Sequence, residues 1–295
     1  MGELAALATA LCWTLTTVFF FYGGKVVGSV NLSRIRLVLA VIFLLISHLV
    51  VFGTLFPYPV ESDRIFWLSI SGIIGLALGD SLLYKSILTV GPRLATLMMA
   101  TVPVISSIAA WLFLNETLTG LEVFAIALTL GGIGWVVLDR AAGPGNLTKK
   151  QYFVGILFGL GAAAGQALGL ITAKKGLVGD FSPLSGVLIR MVAAMTFMWV
   201  IAILRGSFKS TIMSIKTPKV ALAITGGSFT GAFLGVWLSL IAINLTRIGI
   251  AATLMAMVPI MILPIAKWGL KENITIRTLF GTCVAITGVS LIFLF

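Results

Sequence analysis

Met99-Ala100-Thr101-Val102-Pro103 returns, with one position altered, as Met255-Ala256-Met257-Val258-Pro259. Thirteen residues beyond each proline stands a glutamate, Glu116 and then Glu272. The same displacement of 156 residues lays Ala95 on Ala251, Ala110 on Ala266, Leu114 on Leu270, Thr119 on Thr275 and Gly132 on Gly288. Matches in one register over this length identify a duplicated unit, and a duplication fixes architecture before any local reading does.

The solvent for that unit follows from composition. The 295 residues are 59% hydrophobic and 10% charged, with mean hydropathy +1.15, whereas soluble domains carry about 25% charged residues. Most of the chain must face lipid, where a spanning helix needs about 20 apolar residues to rise roughly 30 Å. The net charge of +11 is spread singly or in pairs at helix ends, which fits headgroups or water rather than nucleic acid. Cys12 and Cys283 fall inside predicted spans without metal or redox spacing and read as small apolar fillers. The leader carries Glu3 and no Lys or Arg before its apolar run, which argues against a signal peptide.

Charges and Gly/Pro clusters divide the chain into ten predicted helices. Helices 1 to 5 are expected at about 3–22, 33–53, 65–88, 93–114 and 118–138, and helices 6 to 10 at about 152–173, 184–204, 219–244, 249–270 and 275–294. Between them lies a polar linker, 139–151, containing Gly143-Pro144-Gly145-Asn146. Two units result, 3–138 and 152–294. Five spans is an odd number, so the second unit enters the membrane from the side opposite to the first. The expected fold is an all-α integral membrane protein: ten transmembrane helices as two inverted five-helix repeats around a central cavity, a plan of secondary transporters. The early helices correspond as well, Arg36-Leu37-Val38-Leu39-Ala40 with Arg190-Met191-Val192-Ala193-Ala194, after a slip of two residues.

An Arg in the second helix of each unit, a proline in the fourth and a Glu just after it together resemble the EamA domain pair of the drug/metabolite transporter superfamily. The resemblance spans about 3–138 and 152–294. It implies a ten-helix carrier of small metabolites or drugs with a cavity between the units; members include exporters of amino acids and carriers of sugars, nucleobases and nucleotide-linked compounds. Trp13 matches a family-like aromatic position whose counterpart in the second unit is Gln166, so the two cavity walls are expected to differ chemically.

Orientation is pulled two ways. With loops on alternate sides, fifteen Lys and Arg residues fall on one side and five (Arg64, Lys174, Lys175, Arg190 and Arg247) on the other. The richer side should be cytoplasmic, which puts both termini outside. The family resemblance implies both termini inside.

Asp80 is the one Asp or Glu well inside a predicted span, where a charge costs about 2.5–3.5 kcal/mol on insertion scales. Tyr84, four residues on, shares its face, whereas Lys85 is turned away by about 140°. Asp80 either faces the cavity, taking up a proton or a cationic substrate group, or is a structural carboxyl paired with Arg36, Arg190 or His48. Arg36 and Arg190 either snorkel to headgroups or anchor an acidic substrate or a loop. Snorkelling is the expectation for Lys85 and Lys174. His48, a lone histidine among aliphatic neighbours, reads as a hydrogen-bonded structural group. No second ligand stands at helical spacing from it, so no metal site is expected.

Pro103 and Pro259 each remove a backbone hydrogen bond and should kink their helices, as gate hinges or as fixed bends. Pro264 adds a second break in helix 9, expected to be the more bent. Met98, Met99, Met255 and Met257 suit an adaptable cavity wall or the core. Trp13, Trp237, Gln166 and Asn244 are further cavity candidates, while Trp67 and Trp268 fit an interfacial belt. The glycines of helices 6 and 8 read as packing surfaces. No phosphate-cradling motif supports an ATP-driven pump, and no cofactor is expected. The expected partners are a small-molecule substrate, lipids and, as a coupling ion, protons. The expected location is the plasma membrane, crossed many times. An intramembrane enzyme and a non-transporting scaffold or receptor are the competing classes; a single intramembrane carboxyl and no His-Glu-x-x-His motif count against the first.

Overall fold

The computed structural model describes the chain except residues 114–116, 139–146, 180, 246–247, 271, 273 and 295. Glu116, most of the expected linker, Arg247 and the Asn244 side chain therefore lie outside the described residues. Every regular element among the described residues is helical. Eight helices are long and apolar enough to cross a membrane, and two shorter apolar stretches, Thr253–Gly269 and Ile276–Ile292, follow them.

The chain starts with α1 (Gly2–Val27) and α2 (Ser29–Phe52), separated only by Gly28 at φ 79°. A turn this tight needs a left-handed residue, which glycine supplies without strain. The third span is α3 (Ser62–Ser71), a π-helical turn (Gly72–Gly79) and α4 (Asp80–Val90). Pro92 opens α5 (Pro92–Met99), which is followed by α6 (Val102–Phe113) and α7 (Gly120–Leu138). A reciprocal Thr148–Gln151 capping box starts α8 (Lys149–Gly176), satisfying two orphan donors of the first turn. Then come α9 (Pro183–Leu204), the short α10 (Phe208–Ile212) and α11 (Pro218–Ser228). A second π-helical turn (Phe229–Gly235) leads into α12 (Val236–Leu245). The chain ends with α13 (Ile248–Met255), α14 (Val258–Pro264), a π-helical turn (Ile265–Gly269) and α15 (Ile276–Leu294).

Pro103 and Pro259 each follow closely on a break in their helix. Helix 4 is interrupted at Ala100-Thr101, and Pro103 lies in the first turn of α6. There the missing N–H is one of the donors that would have no partner anyway. The Thr101 hydroxyl and amide both donate to the Met98 carbonyl, at 2.7 and 3.0 Å, so the break is sealed locally. Pro259 likewise lies in the first turn of α14, but position 257 is Met and only its amide caps the break, donating to the Leu254 carbonyl at 3.2 Å. Pro264 closes α14 and hands over to the last π turn. Helix 9 is thus interrupted twice where helix 4 is interrupted once.

Packing crosses between the two halves of the chain. The third span, α3 to α4, lies on α8 and α9, and the span from α11 to α12 lies on α1. The closest seam joins α7 to α15. A Cβ at Gly132 would sit 2.5 Å from the Ala285 nitrogen and 2.6 Å from the Gly281 carbonyl oxygen, and one at Gly288 would strike Thr129. Without hydrophobic driving force between helices in lipid, such backbone contact is what holds them together.

We expect Gly132→Val to destabilise the protein by about 1–3 kcal/mol, because the obstructing atoms are backbone. Gly131→Ala and Gly134→Ala, one residue before and two after with open space around their Cβ positions, should leave stability unchanged. Thermal unfolding of the three variants in detergent measures the difference.

A buried charge cluster as candidate functional site

The glycines of the first π turn decide where Asp80 goes. A Cβ at Gly165 would meet Gly79 Cα at 2.9 Å, and one at Gly169 would meet Gly75 Cα at 2.9 Å. The backbones of α8 and the third span therefore nearly touch, which brings Gln166 of α8 against Asp80 at the start of α4. Gln166 Nε2 donates to Asp80 Oδ1 at 2.7 Å. On the other side Arg36 Nη2 donates to Asp80 Oδ2 at 2.5 Å and to the Leu76 carbonyl at 3.2 Å. Asp80 and Arg36 are 5% and 6% exposed, so pairing offsets part of the cost of removing both charges from water.

Around this pair stand Tyr84 and Arg190. Arg36 lies over the Tyr84 ring at 5.5 Å, and Tyr84 meets Phe20 edge-on at 5.2 Å. Arg190 on α9 reaches the same region: a methyl at Gly75 would lie 3.6 Å from Arg190 Nη2 and 3.6 Å from Gln166 Oε1. The structure therefore brings Arg36, Asp80, Tyr84, Gln166 and Arg190 together. Arg36 does not snorkel. It is turned inward by the carboxylate, a stronger partner than a distant headgroup.

Other candidates lie elsewhere. His48 bridges the Thr54 carbonyl (2.6 Å) and Ser185 Oγ (3.0 Å), tying the end of α2 to the start of α9. Lys85 is exposed, its ammonium 4.4 Å from the Phe158 ring centre. Lys174 is exposed and Lys175 lies over Trp67. Trp13 packs at Gly235, where a Cβ would come 2.6 Å from its indole nitrogen. Trp237 is 40% exposed beside Phe233. Met99 is half-buried, and Met255 packs against the small-residue cluster of Ala5, Ala6, Ala242 and Ala251. An apolar groove of about 360 Å³ between α2 and α9, floored by Val38, Met195 and Trp199, carries no charge and is remote in character from the Asp80 cluster.

One contact was not anticipated. Arg93, at the start of α5, is 2% exposed and donates from Nε to Glu272 Oε2 at 3.1 Å. Gly91, at φ 88°, clears the space: a Cβ there would meet Glu272 Oε1 at 2.7 Å. The repeated spacing of proline and glutamate marked Glu272, but nothing in the local pattern paired it with a residue 179 positions away. Burial pushes the Glu272 carboxyl above the ordinary glutamate range, and the Arg93 and Lys25 cations pull it part of the way back.

Arg93→Met should cost about 3–5 kcal/mol at neutral pH by stranding a buried carboxylate. The carboxyl would then rise further, so the loss relative to the parent should grow as pH climbs from the parent's already raised value through the still higher one and should fade in acid. Adding Glu272→Gln should remove that pH dependence, as read by thermal unfolding across acid to neutral pH.

A solved crystal structure, described only as that of a protein, superposes with TM-score 0.63 over 98% of this chain and 95% of its own length at 14% identity; that likeness is one of fold. No curated protein matches. The sequence profile of the EamA-like transporter family matches twice, over residues 1–138 and 153–294. Two copies of that repeat account for nearly the whole chain, and the protein is a multi-pass membrane protein belonging to the EamA-like transporter family.

Proposed function

We propose that the chain is a secondary-active or facilitative carrier that exports small organic metabolites such as amino acids across the plasma membrane. In this reading units 3–138 and 152–294, joined by the linker 139–151, form two inverted five-helix repeats. Eight long apolar helices and the two shorter apolar stretches supply the ten spans. Rocking of one repeat against the other exposes a shared site to alternate sides. The observation that carries the proposal is the Asp80 cluster: buried ionisable groups deep in a lipid-embedded span, where charge is costly unless it serves a pathway or a proton relay. Gln166 from the second copy completes the coordination of an acid from the first, so motion between the copies changes the surroundings of Asp80. Protons are the proposed coupling ion. Carriers of cationic drugs or of sugar- or nucleotide-linked metabolites form the runner-up reading within the family, and enzymatic or scaffolding roles find no support in the site's geometry.

Solute counterflow in proteoliposomes tests the carrier reading, with absence of exchange for every member of an amino acid, nucleoside, sugar and drug panel counting against it. Asp80→Asn should lower transport more than about tenfold, equivalent to ~1.4 kcal/mol, while folded protein is still recovered; unchanged flux would remove Asp80 from the mechanism. Orientation is checked at the exposed Ser210. The charge bias predicts that Ser210→Cys resists an impermeant thiol reagent in intact cells, and modification would reverse the assignment.

A further inference from the structure

The cluster around Asp80 contains two guanidinium groups and one carboxylate. Both carboxylate oxygens are taken, one by Arg36 and one by Gln166. Arg190 is within electrostatic reach of Asp80 but makes no hydrogen bond to it, and its Nε is buried without a partner among the described residues. The duplication explains how this cation came to be left over. The two π turns, Gly72–Gly79 and Phe229–Gly235, end 156 residues apart, the register that superposes Pro103 on Pro259. In that register Asp80 falls on Val236, each being the first residue after its π turn. The positions before them are faced by the first helix of the opposite copy: a Cβ at Gly79 would lie 3.5 Å from the Gln166 backbone nitrogen, and one at Gly235 2.6 Å from the Trp13 indole nitrogen. The second copy has thus kept the arginine and replaced the carboxylate by an apolar residue. Nor does its own copy compensate in another way. In the first copy α2 packs on α4, whereas α9 packs on α2, α3 and the first π turn, with no comparable packing on α11 or α12 among the described residues.

Arg190 is half-buried, with its Nε enclosed and unpartnered; a guanidinium without an acid is unfavourable in a membrane interior, and such groups pair where a partner exists. We infer that the missing acid is brought by the solute: Arg190 docks an anionic group, a carboxylate, phosphate or sulfonate, of the transported compound. Arg36 is held by Asp80 and stays in place, so the cluster offers one uncompensated positive charge with planar donors suited to an oxyanion. The inference rests on the carrier reading above and narrows its substrate class. It favours amino acids and other acidic metabolites over cationic drugs.

The test uses the purified full chain and thermal unfolding at matched ionic strength with butyrate, butyl phosphate and butanesulfonate against butyramide and butylamine. A ligand of the folded form raises its apparent stability. At least one anion should stabilise the protein while the amide and amine do not, and Arg190→Gln should weaken that anion at least about tenfold. Should Arg190→Gln fail to fold, Arg190→Lys should keep the preference for anions, and Asp80→Asn should bind the anion no more weakly than the parent. Stabilisation by the amide as large as by any anion, failure of all three anions, or anion binding unaffected by Arg190→Gln would overturn the inference. A lipid headgroup is separated from a free solute by repeating the titration in nanodiscs of phosphatidylcholine with and without phosphatidylglycerol; loss of the solute effect in the anionic discs assigns the site to lipid and also overturns it. Counterflow of neutral or cationic solutes alone sinks the anion site and leaves the carrier. Anion binding with no counterflow of any binder sinks the carrier and leaves the site.

Discussion

A charge in the middle of a lipid-embedded span must find its partners inside the protein, and α2, α4, α8 and the first π turn are held together around meeting that demand for Asp80. Its two oxygens are served from opposite directions, by α2 of its own copy and by α8 of the other. That is possible only because Gly75, Gly79, Gly165 and Gly169 let two backbones come within contact. The π turn before Asp80 widens the helix where those contacts fall, and such turns are a recurrent feature of functional positions in helices. Replacing Gly165 or Gly169 would set a Cβ 2.9 Å from the facing backbone and push away the amide on which one carboxylate oxygen relies.

The same principle acts at the rim with a different outcome. Arg93 and Glu272 meet where the first copy's fourth span begins and the second copy's fourth span has just ended. Arg93 keeps two buried nitrogens without partners, and the Glu272 side chain is 13% exposed, against 8% for that of Asp80. This pair fastens the copies together less completely than the Asp80 cluster does. A pair with unsatisfied donors contributes less than a fully satisfied one.

Much of this was legible in the chain. Composition and the repeated Met-Ala-x-Val-Pro stretch announced a duplicated membrane protein, and Tyr84 and Asp80 were placed on one face by spacing alone. Pairing of Asp80 with Arg36 stood as one of several options, because spacing within a helix says nothing about which neighbour is brought alongside. The inward turn of Arg36 ran against its position near a helix end; the carboxylate, not the depth, decided it. The helix breaks lie two to three residues before the prolines, at Ala100-Thr101 and Ala256-Met257, because a proline is tolerated in the first turn of a new helix and not within an old one. The Arg93–Glu272 contact joins residues far apart in sequence, and no periodicity encodes such a meeting.

The seam between α7 and α15 has a consequence for how the molecule can change shape. Its glycines leave no side-chain cushion between the two helices, and Thr129, Ala285 and Gly281 interlock with them at backbone distance. Surfaces meshed so closely resist sliding. The last helix of one copy is thereby locked to the last helix of the other, and the pair acts as a keel for the whole bundle.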